Sequence, residues 1–186
     1  MWTSMLSSTI AGMAVTASGN GYWLVSNGGS VLSFGAAAAG PWPATRNLRP
    51  MDLDDARDFL REHHRAVLAT YRLDGRAQMS PVAPGVGGDG RVLVSSRETA
   101  FKVKNLRRDP RVSLCAFLDS WYGSWIQVDG TAEVVSLPVA MDLLVEYYRR
   151  VAGEHPDWDD YRAAMARERR VAICITIERA GPDLAG

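Results

Sequence analysis

RVLVSSRETAFKVKNLRRDPR, residues 91–111, decides the reading of this chain. Val92, Leu93 and Val94 form an apolar run between turn-like ends, which predicts a β-strand. Pro110 closes the basic stretch that follows, because proline cannot continue a helix and biases the residue before it away from helical geometry. The segment therefore reads as a strand delivering the chain, through a Ser/Thr-rich turn, onto a short basic helix. Ser95, Ser96 and Thr99 offer hydroxyls and N–H groups where a helix presents its positive end. Lys102 and Asn105 lie three apart, on one helical face. A strand end, a hydroxyl-bearing turn and a lysine near the helix start suit a phosphate group. On pattern alone, a run with Lys102, Lys104, Arg107, Arg108 and Arg111 is more often a solvated helix face. A nucleic-acid surface is a third reading. The 21 basic and 21 acidic residues argue against it, since they leave no wide positive field.

The 186 residues suffice for one well-buried core and are few for two full domains. No apolar run approaches the roughly 18 residues of a membrane-spanning helix, so no membrane role is expected. Cys115 and Cys174 sit in apolar, strand-like runs without metal spacing and read as buried, reduced thiols of a cytoplasmic protein. Charge is unevenly placed, with no Asp, Glu, Lys or Arg before Arg46. Residues 1–48 are therefore expected to form an N-terminal extension distinct from a domain over 49–186. The extension contains GNGYWLVSNGGSVLSFG, which predicts a β-hairpin and resembles one unit of the GYWLV…GG…FG repeats of actinobacterial, often surface-associated, proteins. Such repeats need stacked neighbours to bury a core, and here there is one. Ile10–Val15 followed by Val15-Thr16-Ala17 also has the outline of an export leader, without the basic start that leaders carry.

Beyond the extension, residues 52–64 predict an amphipathic helix with Leu53, Ala56, Phe59 and Leu60 on one face and Asp52 as its cap. Residues 66–72 predict a strand, Leu73-Asp74-Gly75 a hairpin turn, and 76–83 a second strand with Gln78, Ser80 and Val82 on one side. Gly85, Gly87 and Gly90 match a dinucleotide-type glycine spacing. A strand follows them directly where a helix is required, so they read as a hairpin loop. Strands over 112–118 and 125–135, a helix from Pro138 to about Ala152, a second helix over 159–170 and a strand over 171–177, buried on both faces, complete the pattern. Roughly six strands with hairpin links and a few peripheral helices predict an antiparallel barrel.

Acid–base machinery is not evident. His63 and His64, adjacent on a helix end, point in different directions and read as a solvated terminus. His155 stands among acids that serve better as caps, with Asp157 to Asp160 opening a helix. Trp121, Tyr122 and Trp125 form an aromatic cluster suited to stacking on a planar ligand or to packing. No metal site is expected. A chain with a phosphate site and no catalytic triad fits an enzyme whose cofactor carries the chemistry.

Three stretches in order, FKVKNLRRDPRVSLCAF, WIQVDGTAEVVSLP and YYRRVAGEHPDWDDYRAAM, resemble the pyridoxamine-phosphate-oxidase-like split-barrel proteins of actinobacteria, specifically the subgroup dependent on the deazaflavin coenzyme F420. The resemblance covers about residues 52–182. It implies a mainly β fold with peripheral helices, a six-stranded antiparallel split β-barrel of the FMN-binding type. It also implies a homodimer holding two cofactors at the subunit interface. Around the cofactor phosphate it places Lys102, Asn105 and Ser95, with Ser96 and Thr99 as helpers. Along the deazaflavin ring it places Gln78, Ser80 and Pro81. Some relatives carry an arginine where this chain has Ala100, a departure that weakens the phosphate or tail contact or shifts it to Arg97 or Lys104.

The implied activity is hydride transfer from reduced F420 to a small unsaturated organic substrate, with the catalytic residues left unassigned and the proton coming from water or a nearby Tyr or Ser. Trp121 and Tyr122 are expected to close the substrate pocket across the dimer. Pyridoxamine phosphate oxidase activity is the weaker enzyme reading, because ERAGPDLAG lacks the arginine- and tryptophan-bearing tail of true oxidases. FMN in place of F420 stays open, as does a non-catalytic F420 or flavin carrier. A surface-associated interaction protein is a third alternative and depends on the extension alone.

Overall fold

The computed structural model describes residues 10–15, 20–26, 31–35, 51–118 and 124–181. The chain divides into two compact units, Met1–Arg49 and Pro50–Gly186. In the first, β1 (Ile10–Val15), β2 (Gly21–Ser26) and β3 (Val31–Gly35) form an antiparallel sheet in that order. The expected hairpin is β2–β3, with the rings of Tyr22 and Phe34 stacked 4.8 Å apart across it. The correction is the third strand, formed by the apolar run Ile10–Val15 that also had the outline of a leader core.

The second unit opens with α1 (Leu53–Glu62). Asp52 caps it, accepting the N–H groups of Asp54 and Asp55, while the Asp55 carboxylate accepts the Asp52 N–H. Strands β4 (Ala66–Tyr71) and β5 (Ala77–Val82) form the expected hairpin, turning at Gly75 with φ +79°. Next come β6 (Gly85–Val86), β7 (Val92–Arg97), α2 (Phe101–Arg108), β8 (Arg111–Phe117) and β9 (Trp125–Ser136). Then follow α3 (Met141–Ala152), α4 (Trp158–Arg167) and β10 (Arg170–Gly181). α3 starts three residues later than expected, because residues 137–140 form a turn before it. α4 runs from Trp158 to Arg167 rather than 159–170: Arg169 takes φ 52° and turns the chain into β10.

The sheet order is β5-β4-β8-β9-β10-β7-β6, all antiparallel. Seven strands stand where six were expected. The two outermost, β5 and β6, are successive in the chain and separated by Ala83-Pro84 alone, so the sheet curls until its ends meet. They are two halves of one bent strand, the first paired with β4 and the second with β7. The proline has no N–H with which to continue either ladder. Beyond Val86 and Leu93 this seam has no strand pairing among the described residues, and the barrel is split there.

Alternation fills the inside. Leu68, Val94, Leu114, Ile126, Val128, Ile173 and Ile175 form one buried cluster, with Leu60 of α1 and Val103 and Leu106 of α2 packed into it. Such side chains contribute about 2 kcal/mol each when buried. A second cluster lies where α3 and α4 cover the outer side of β7 and β10, joining Leu93, Ala172 and Cys174 to Ala140, Leu144 and Tyr161. Hence β10 is buried on both faces from Val171 to Ile175. Gly130 in β9 is obligatory, since a Cβ there would lie 2.0 Å from the Thr176 carbonyl oxygen. Both cysteines are free thiols; Cys174 is buried, while Cys115 is only half-buried because it faces outward on β8. No helix among the described residues is long and apolar enough to cross a membrane.

Candidate functional site

The expected site residues fall on the two lips of the split and on α2 between them. On the β5 lip, the pleat turns Gln78, Ser80 and Val82 to the inner side and leaves Ala77, Met79 and Pro81 exposed. Gln78 Nε2 donates to Ser80 Oγ at 2.7 Å and to the Met79 carbonyl at 2.8 Å. Its Oε1 accepts from Thr70 Oγ1 at 3.3 Å. Thr70, opposite Gln78 in the β4–β5 register, is fully buried and also accepts from Asn105 Nδ2 at 3.1 Å. Asn105 Oδ1 in turn accepts from Arg108 at 3.4 Å. The structure thus brings Gln78, Ser80 and Asn105 into one chain of hydrogen bonds through Thr70. Sequence reasoning missed this residue, although its place in the buried phase with Ala66 and Leu68 marks a hydroxyl in need of a partner.

Lys102 is not part of that chain. Asn105 is 6% exposed and tucked beneath the helix, whereas Lys102 is half-buried on the flank toward the start of β10. The single face expected for this pair therefore divides into two environments. Burial, with the Arg170 guanidinium nearby, pulls the Lys102 ammonium below the ordinary lysine value, and no carboxylate among the described residues pairs with it. Glu168, the nearest acid to Arg170, is held by Arg170 at 2.7 Å and Arg97 at 3.4 Å, and its carboxyl sits below the usual range because of Arg170.

Ser95 and Ser96 separate as strand neighbours must. Ser96 shares the inner phase of Val92 and Val94 and is buried; Ser95 shares the outer phase of Leu93. Beside Ser95 is Tyr147 of α3, whose hydroxyl donates to the Ala83 carbonyl at 3.0 Å and whose pKa burial raises. Thr99 is half-buried in the turn before α2. The N-cap of α2 is Ala100, which has no side-chain acceptor to offer, so no side chain caps the helix start, while the Val103 and Lys104 N–H groups donate to the Ala100 carbonyl at 3.1 and 3.2 Å.

Other candidates resolve plainly. Arg107 pairs with Glu98 and Arg111 with Asp109, so both are surface residues, and Arg108 reaches the Tyr71 carbonyl. His64 is not merely solvated: its Nδ1 lies 2.8 Å from the Pro84 carbonyl and ties the end of α1 to the seam. The His155 ring bonds the Asp157 N–H, and Asp157 caps α4. No cluster of three His, Cys, Asp or Glu among the described residues could hold a metal ion. Trp121 and Tyr122 lie outside the described residues.

Residues 53–181 match the family model described as pyridoxamine 5'-phosphate oxidase. The chain belongs to that family. Solved structures agree with the fold. A conserved hypothetical protein of Mycobacterium tuberculosis is 27% identical with a TM-score of 0.60, over 73% of this chain and 86% of that one. An F420 reductase is 19% identical with a TM-score of 0.53, over 67% and 94%. The haem storage protein HutZ of Vibrio cholerae is 18% identical with a TM-score of 0.54, over 70% and 94%. At the identities of the last two, the likeness is one of fold alone.

Proposed function

We propose that this family member binds a phosphate-bearing deazaflavin, coenzyme F420, and uses its reduced form to reduce a small unsaturated organic substrate. The observation that carries the reading is the start of α2, without a side-chain cap, beside a desolvated Lys102 that has no carboxylate partner among the described residues. Lys102 in a partly buried place, with Arg170 nearby and a helix start that no side chain caps, fits a phosphate group. Lys102 and the α2 amides bind it, with Thr99 at the turn and Ser95 at the strand end, while Ser96 faces the barrel interior. Arg170 supplies the second cation that Ala100 cannot. Gln78 and Ser80 on β5 line the ring, while Pro81, expected beside them, faces the other side of the strand and has no part in this reading. Asn105 acts beneath them, positioning α2 against β4 through Thr70. F420, when bound, supplies the hydride. The protein's part is to hold ring and acceptor together and to limit water.

The site sits on a homodimer in this reading. The outer side of β5-β4-β8-β9 carries Val67, Met79, Pro81, Phe117 and Trp125, with Met79 68% and Trp125 48% exposed, an apolar face suited to a second copy. A second reading, a non-catalytic carrier, rests on the lack of an evident proton donor among these residues.

Titration of the purified chain with F420 and with FMN, followed by the absorbance of the reduced cofactor with enone and quinone acceptors, tests the proposal. F420 binding with turnover is expected. Binding without turnover across the panel points to the carrier, and preference for FMN refutes the F420 assignment.

A further inference from the structure

At the split, two strands stop short of a pairing that their register calls for. β6 and β7 are matched at Gly85–Leu93 and Val86–Val92, and across their turn the Gly87 N–H donates to the Arg91 carbonyl at 2.9 Å. Two residues further along, the same register sets Ala83 opposite Ser95. Hydrogen-bonded pairs alternate in an antiparallel ladder, so 87–91, 85–93 and 83–95 are the pairs that exchange bonds. The bond due from the Ser95 N–H to the Ala83 carbonyl is absent among the described residues. The Tyr147 hydroxyl stands in its place. It donates to the Ala83 carbonyl at 3.0 Å, and the Ser95 N–H faces the same oxygen. A phenol whose pKa burial raises keeps the proton it donates and still has a lone pair for Ser95. α3, which carries Tyr147, is fixed over the β6 lip. A Cβ on Gly85 would lie 3.0 Å from Val151 Cγ2 and 3.2 Å from Arg150 Cβ, and the Glu146 carboxylate accepts the Gly88 N–H at 2.6 Å. The next carbonyl in the bend, that of Pro84, is 2.8 Å from His64 Nδ1. Side chains from two helical segments thus hold Ala83-Pro84 where a strand partner would.

We propose that Tyr147 is the spacer of the split, a positioning residue whose hydroxyl bridges Ala83 and Ser95 and keeps the two lips apart at a fixed distance. A hydroxyl that accepts from one backbone and donates to the other works as a bridging water does, holding both groups satisfied at a separation too wide for a direct bond. One lip continues into β5, which carries Gln78 and Ser80. The other is the end of β7, where Ser95 precedes the turn into α2 and Lys102. Ring-lining strand and phosphate-binding turn therefore keep their span through one phenol outside both. The effect on affinity rests on the proposed cofactor site; the bridge itself does not.

The test is amide hydrogen exchange at Ser95 and Leu93, read by NMR on the nitrogen-15-labelled full chain, with F420 and FMN affinities measured on the same proteins. Tyr147→Phe keeps the ring and removes only the hydroxyl, so the variant is expected to fold. Tyr148→Phe is the control, since the ring next in sequence lies in the cluster with His155, Trp158 and Tyr161. In Tyr147→Phe, exchange at Ser95 should quicken by about five- to tenfold, the scale of one net hydrogen bond, while Leu93, paired with Gly85, stays as protected as in the parent. Affinity for the cofactor the parent binds should fall by about tenfold. Tyr148→Phe should change none of these. Unaltered exchange at Ser95 in Tyr147→Phe overturns the bridge, and so does equal loss of protection at Leu93, which would mean a loosened ladder. Faster exchange at Ser95 with unchanged affinity overturns the positioning role. If the parent binds neither cofactor, the cofactor reading falls, and exchange at Ser95 alone decides whether Tyr147 spaces the split.

Discussion

Exchanging Asn105 and Lys102 for alanine separates what holds the site together from what holds its ligand. Asn105→Ala deletes the 3.1 Å bond to Thr70 in a fully buried setting, and with it the polar link between α2 and β4. A net hydrogen bond is worth about 1 kcal/mol, and the vacated buried volume adds roughly as much, so the loss is about 2 kcal/mol. At a urea slope of about 2 kcal/mol per molar, the unfolding midpoint falls by about 1 M. Thr70 keeps Gln78 as a partner, which limits the damage. Lys102→Ala works the other way. The folded chain pays to bury that ammonium beside Arg170 and gains no carboxylate partner for it. Its removal should leave stability within about 0.5 kcal/mol of the parent, as for ordinary surface changes. Cofactor affinity should drop by about tenfold or more, equivalent to about 1.4 kcal/mol. Urea unfolding followed by circular dichroism, with cofactor titration on the same preparations, reads both quantities. If Asn105→Ala kept its stability and lost affinity tenfold, the amide would lie against the ligand and the positioning role would be wrong.

Cofactor affinity should also weaken in alkali. Lys102 loses its proton below the ordinary lysine value, so phosphate binding declines as pH rises through that lowered pKa; an affinity flat to pH 11 would count against Lys102 as the phosphate cation. Burial pushes the Tyr161 hydroxyl, which donates to the Leu144 carbonyl at 2.8 Å, up to about 12. A raised folded pKa means the native state holds the proton longer, so this residue's contribution is intact below pH 10 and is lost between pH 10 and 12; urea midpoints across that window should fall less in Tyr161→Phe than in the parent. Gly130→Ala forces β9 and β10 apart at Thr176 and should cost about 3 kcal/mol or prevent soluble expression, measured against an Ala132→Gly control. Asp52→Ala removes the cap of α1 for a loss of about 1 kcal/mol in the same urea assay.

Much of this was legible because it is local. The cap at Asp52, the Leu73-Asp74-Gly75 turn and the stop at Pro110 each act on their neighbours, and α1, the β4–β5 hairpin and α2 lie where those signals put them. The alternation in β5 likewise placed Gln78 and Ser80 on one side correctly. Where the reading fell short, the missing quantity was an orientation fixed by distant contacts. Spacing relates Lys102 to Asn105 but does not say how far α2 rolls; Val103 and Leu106, seeking the barrel interior, carry Asn105 down to Thr70 and leave Lys102 at the flank. Strand-forming runs likewise do not say which edges meet, so the division of one strand into β5 and β6 at Ala83-Pro84 was not visible. Arg170 escaped notice because it enters the Lys102 environment only through the pairing of β10 with β7.

That pairing has a consequence for how the molecule is made. β10 lies between β9 and β7, zipped to residues 127–136 on one side and 92–97 on the other. During synthesis from the N-terminus, the strands and helices up to Arg167 emerge before the piece that joins their two halves exists, and Val92, Val94, Ile126 and Val128 have no common interior until then. Closure waits on sequence-distant contacts and so is slow relative to local hairpins and helices. The barrel is therefore completed only after β10 leaves the ribosome. Up to that point the nascent chain exposes open strand edges and apolar faces, the features that favour association with other chains.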